Sequence, residues 1–134
     1  MSDNEQSMKR AVLFCTCSGV CPSMAKIDFW ALAERVRLEL GDEIEYLAMH
    51  PRLCEEDGER LMARLLTEGV RYITPACGEK KQQKLLRDGF RLAGVPMDEA
   101  HWTPVSMAHE DTAAVFAKVR AAVDGRHGPQ GPEA

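Results

Sequence analysis

The stretch Ala11-Val12-Leu13-Phe14-Cys15-Thr16-Cys17-Ser18-Gly19 carries an apolar run that ends at a cysteine pair and a turn. Positions 11–15 are continuously apolar, without the polar alternation of a half-exposed strand. They are expected to form a strand buried on both faces of a parallel sheet. Ser18-Gly19 ends it in a turn. Downstream, residues 23–40 carry helical periodicity: Ile27, Trp30, Ala31, Ala33 and Val36 can face a core, while Lys26, Glu34, Arg35 and Glu39 can face water. Gly41-Asp42 stops the helix.

The same alternation continues along the chain. A strand over 44–49 precedes a helix over 57–67, with Leu61, Met62, Leu65 and Leu66 on one stripe and Gly69 closing it. A strand over 71–76 precedes a helix over 79–92, with Leu85, Leu86, Phe90 and Leu92 as burial candidates and Gly94-Val95-Pro96 as the stop. A strand over 101–107 precedes a helix over 110–123, with Val115, Phe116, Val119 and Val123 spaced for burial and Asp111 or His109 near its cap. The pattern predicts an α/β, three-layer architecture: a four-stranded, mostly parallel sheet flanked by helices, Rossmann/flavodoxin-like. Residues 1–9 read as a flexible N-terminus, 10–123 as one α/β domain, and 124–134, rich in Gly and Pro, as a disordered tail.

Composition narrows the function. Hydrophobic residues make up 45% of the 134, enough for one core. The net charge of −4 is too mild to argue for a nucleic-acid surface. No apolar run approaches the roughly 20 residues of a membrane span. Met1 to Lys9 is polar and lacks the apolar centre of a secretory signal, so a cytoplasmic location is expected. In that compartment structural disulfides are rare, and five cysteines require an explanation.

Cys15 and Cys17 form a C-x-C at the end of the first strand, Cys21 follows in the same loop, Cys54 lies after the second strand, and Cys77 ends the third. In an open parallel sheet the carboxyl ends of the strands share one edge, where ligands bind near the switch point. Distant cysteines should therefore converge. Such a thiol group can serve as a disulfide relay, a zinc site or an iron–sulfur site. Thioredoxin-like dithiols and zinc knuckles both use C-x-x-C, which this chain lacks. An iron–sulfur cluster accepts sulfurs arriving from separate loops and is the favoured metal reading. Gly19 and Gly78 are expected to allow close backbone approach to such a cofactor, and the helix after Cys77 would aim N–H groups beside the sulfur. The plainer alternative is that each cysteine is a small buried hydrophobe at a strand end.

The segments Val12-Leu13-Phe14-Cys15-Thr16-Cys17, Leu53-Cys54-Glu55-Glu56-Asp57-Gly58 and Thr74-Pro75-Ala76-Cys77 make one pattern. That pattern resembles the N-terminal iron–sulfur domain of the flavin-bearing heterodisulfide reductase subunit. In that family the first strand ends in C-x-C-G, the second loop carries Met-Cys or Leu-Cys before a Gly-containing helix start, and the third strand ends in Ala-Cys-Ser-Pro. Val105-Ser106-Met107-Ala108-His109 looks like its fourth-strand ending, so the resemblance covers roughly 11–123. It implies a [4Fe–4S] cluster on Cys15, Cys17, Cys54 and Cys77, in an electron-transfer module of a larger redox complex. The family's flavin domain has no counterpart here, since there is no G-x-G-x-x-G. The chain departs from the family at Ser18-Gly19, at the additional Cys21, and at Gly78-Glu79-Lys80 after Cys77. Cys21 could be a metal ligand, replacing Cys15 or Cys17, or a free thiol beside the site.

His50 and His109 fall on the same expected edge and could ligate a metal or move a proton, or could simply cap or face solvent. Lys80, Lys81, Lys84 and Arg87 could steer an acidic redox partner or form a solvated helix face. Glu55-Glu56-Asp57 would oppose adding an electron near Cys54, or cap the next helix. Met24, Met49, Met62 and Met107 read as core filler. The expectation is an electron-transfer component of an oxidoreductase complex, working with a redox partner protein such as a flavoprotein or a heterodisulfide reductase-like subunit. The alternatives are a zinc-stabilised interaction module and a cysteine-based thiol oxidoreductase.

Overall fold

The structure is a computed structural model describing residues 8–125. Most of the expected N-terminal arm and tail, 1–7 and 126–134, lies outside the described residues. Strands β1 (Lys9–Cys15), β2 (Leu47–His50), β3 (Val70–Ala76) and β4 (Trp102–Ser106) form one sheet in the order β2-β1-β3-β4, and every pairing is parallel. Helices α1 (Phe29–Leu40), α2 (Glu56–Leu65), α3 (Glu79–Leu85), α4 (Arg87–Ala93) and α5 (Thr112–Val123) cover it.

The apolar run of β1 reads as it does because it serves two cores. Val12 and Phe14 join Ile73, Val105 and the inner stripes of α1 and α5. Ala11 and Leu13 join Tyr72, Met62 of α2 and Phe90 of α4 on the opposite face. All four β1 side chains are at most 1% exposed, the signature of a central strand with helices above and below. The chain steps from β1 to β2 on one side and then crosses to β3 on the other. The carboxyl ends of β1 and β3 therefore flank the switch point, where doubly wound sheets open a crevice.

The expectations for two helices are corrected. The helix expected over 23–40 begins at Phe29, because Pro22–Met24 forms a separate 3-10 turn and Asp28 caps the helix by accepting a hydrogen bond from the Ala31 N–H at 3.0 Å. Its buried stripe is Leu32, Ala33, Val36 and Leu40, which leaves Ala31 exposed and Trp30 79% exposed. The helix expected over 79–92 breaks at Leu86 into α3 and α4. Leu86 and Phe90 are buried as expected, but Leu85 and Leu92 are exposed. Asp111 is the cap of α5, accepting from the Ala114 N–H at 2.9 Å, while His109 lies outside the helix with φ +63°. No helix among the described residues is long and apolar enough to cross a membrane.

Candidate thiol site

All five cysteines line one cleft of ≈ 90 Å³ at the carboxyl edge of the sheet, together with Met24, Arg52, Ala76, Lys81, Gln82, Leu85 and Leu86. Each is a free thiol, neither fully buried nor fully exposed. Cys15 closes β1 and sits opposite His50 in the register with β2. The loop that follows is fastened to the loop after β2: the Thr16 N–H donates to the His50 carbonyl at 3.1 Å, and the Ser18 N–H to the Pro51 carbonyl at 2.9 Å. Arg52 Nε donates to Ser18 Oγ at 3.0 Å, and the Leu53 N–H points at Cys15 Sγ at 3.3 Å.

Cys17, Ser18 and Gly19 lie consecutively in the left-handed region, at φ +53°, +56° and +73°. For the two non-glycine residues that conformation costs roughly 1–2 kcal/mol each. The hydrogen bonds to the loop after β2 hold it in place. Gly19 is suited by its φ, and a Cβ at Gly19 or at Gly78 would meet nothing of this chain within 4 Å. Gly58 is different. A Cβ there would run into the Arg52 carbonyl and the Leu53 Cα, so only glycine lets the start of α2 rest on the strand-to-helix loop that presents Cys54.

Cys77 is positioned through its carbonyl. Gln82, fully buried on α3, donates through Nε2 to the Cys77 carbonyl at 2.7 Å and the Val105 carbonyl at 3.1 Å. Its Oε1 accepts from Thr74 Oγ1 at 2.7 Å, and Thr74 in turn accepts from Trp102 Nε1 at 2.9 Å. Sequence reading missed both Gln82 and Arg52. The signal for Gln82 was present, because position 82 lies on the same helical stripe as Leu86, and a polar residue on an apolar stripe marks a buried network.

Burial pushes the thiols of Cys17, Cys54 and Cys77 up from their ordinary range, and neighbouring sulfurs add to it. Cys15 raises all three; Cys21 also raises Cys17, against the opposing pull of Arg52. Cys15 is thus the shared neighbour of the group. Cys21 goes the other way: its Sγ lies 3.1 Å from Ser23 Oγ, and that hydrogen bond favours its thiolate.

The histidines are engaged elsewhere. His50 accepts the Arg52 N–H on Nδ1 at 2.9 Å and faces Asp57 Oδ2 through Nε2 at 3.2 Å, which pins the loop carrying Cys54. The His109 N–H donates to the Ser23 carbonyl at 2.6 Å. Neither lines the cleft. Met24, expected as core filler, is buried and also forms part of the cleft wall. Among the described residues no three or more His, Cys, Asp or Glu side chains come close enough together to hold a metal ion. Four thiolates on one zinc would sit about 3.8 Å apart, given a Zn–S bond of about 2.3 Å and tetrahedral geometry. A cluster, with one thiolate on each iron corner, asks for wider spacing. Comparison with family models, with curated proteins and with solved structures found no match.

Proposed function

We propose that the chain is an electron-transfer protein whose Cys15, Cys17, Cys54 and Cys77 hold a [4Fe–4S] cluster. The observation that carries this reading is that thiols from three separate loops line a single cleft at the sheet's switch point. The donor set suits the group: free thiols, an N–H on the Cys15 sulfur, and two cations, Arg52 and Lys81, on the same walls. When bound, such a cluster takes up and gives back one electron at a time. The chain's own residues orient the sulfurs and set the charge around them. The left-handed turn at Cys17-Ser18 redirects the chain just after the first strand and leaves Cys17 on the cleft wall, Gln82 fixes the peptide of Cys77, and Arg52 and Lys81 offset negative charge. The resemblance to the N-terminal iron–sulfur domain found in heterodisulfide reductase points the same way, and Ser18 has the left-handed backbone that suits the glycine of that family's C-x-C-G.

One observation favours a second reading, a thiol oxidoreductase. Cys17 and Cys21 act on each other's ionisation, and Cys21 is the thiol whose ionisation its surroundings ease. Electron counting separates the two. The chain loaded anaerobically with iron and sulfide should be reduced and reoxidised reversibly by one electron, with matching bleaching and recovery of its visible absorption. Two-electron cycling of a metal-free chain between dithiol and disulfide would replace the first reading with the second.

A further inference from the structure

The charge around the cleft is lopsided. On the Cys54 side two of the three acidic residues of the Glu55-Glu56-Asp57 run are engaged within the chain, Asp57 with His50 at 3.2 Å and Glu55 with Arg52 at 3.9 Å, and Glu56 is exposed. On the Cys77 side, Lys80, Lys81, Lys84 and Arg87 are all exposed, and none makes an ion pair among the described residues. This concentration of cations stands on a chain whose net charge is −4, so the field it creates is local and directional. Two further features adjoin it. Leu85, between Lys81 and Lys84 and 38% exposed, is part of the wall of the thiol cleft. Lys84 and Arg87, with Gln83 and Met97, line a separate open recess of ≈ 330 Å³. Two unpaired cations over a small recess with an apolar wall match a carboxylate side chain entering from outside.

We infer that the α3–α4 flank beside the thiol cleft is a docking surface for an acidic redox protein, with one of its carboxylate side chains seated in the Lys84–Arg87 recess. The inference rests on the electron-transfer reading for the partner's chemistry, while the docking itself rests on the charge and the recess. Lys81 and Leu85 belong to both the flank and the cleft wall, so a partner seated there lies directly over the thiols. Cations at the rim of an interface act chiefly on association rate and on its salt dependence.

The test is binding of a small acidic plant-type ferredoxin to the full chain, followed by backbone NMR shifts and titration, on both the metal-free and the iron-loaded protein. Expected are shifts confined to 80–97 and the mouth of the cleft, and affinity that falls as salt shortens the screening length. The triple variant Lys80→Glu/Lys84→Glu/Arg87→Glu should weaken binding about tenfold or more at low salt, while its iron content and melting temperature match the parent. A basic cytochrome c should bind the parent chain more weakly than the ferredoxin does. Shifts on another face, no ferredoxin binding, or equal binding of the cytochrome would overturn the inference. So would self-association abolished by the triple variant, which would make a second copy the occupant. Docking by the metal-free chain together with failure to load iron would sink the cluster reading and leave the surface standing.

Discussion

Cys15 is the sulfur that ties the group together, since it neighbours Cys17, Cys54 and Cys77, whereas Cys21 is linked within the group to Cys17. The proposed ligand set accordingly takes Cys15, Cys17, Cys54 and Cys77 and leaves Cys21 out. Cys54→Ala and Cys77→Ala should each lose the cluster, because no other cysteine lies in either loop; an intact visible spectrum and full iron content in either would contradict the ligand set. Cys21→Ser should keep both. The convergence of the cysteines on one cleft was legible in the sequence because it depends on where strands end, and strand ends follow from apolar runs and turns. Arg52 was not legible. Its place on the cleft wall comes from the crossing of two loops 34 residues apart, joined through Ser18 Oγ, and no local pattern announces that contact.

At the scale of elements, the loops are set by how closely helices sit on the sheet edge. Gly58 is the tightest such point, and Gly58→Ala must push α2 off the Arg52–Leu53 backbone, costing roughly 1–3 kcal/mol. Urea unfolding should show the loss, and iron loading should weaken with it because the displaced loop carries Cys54; unchanged stability and loading would show that the contact relaxes freely. Gln82→Leu removes three hydrogen bonds and strands the Cys77 and Val105 carbonyls in a buried setting. A loss of about 2–3 kcal/mol is expected for groups left unsatisfied there, again read by urea unfolding. The elements themselves were legible wherever burial and periodicity agreed, as at β1, β3 and α5. They were misread at α1, where the Asp28 cap overrode a longer apolar pattern, and at α3–α4, where exposed Leu85 and Leu92 mimic a continuous stripe.

On the scale of the whole molecule, a four-stranded parallel sheet in the order β2-β1-β3-β4 converts three distant sequence positions into one site. The alternation of apolar runs and helical periods made that fold readable, and the expected mostly parallel sheet is parallel throughout. The gathered thiols also give the metal-free protein a pH signature. Cys17, Cys54 and Cys77 are raised in the folded state, so as pH rises through the unfolded thiol value of about 8.5 the unfolded chain ionises first and draws the equilibrium toward itself. Stability of the metal-free chain should therefore fall from that pH upward, opposed only by Cys21, and a Cys54→Ser/Cys77→Ser variant should show a shallower decline in denaturant titrations. Iron loading should instead release protons and strengthen with pH, since the ligands bind as thiolates. The central claim is that these thiols share one iron–sulfur cluster. Its most direct test is metal and acid-labile sulfide analysis of the chain purified without oxygen: about four iron and four sulfide per chain are expected, whereas a colourless protein carrying stoichiometric zinc and no sulfide would contradict it.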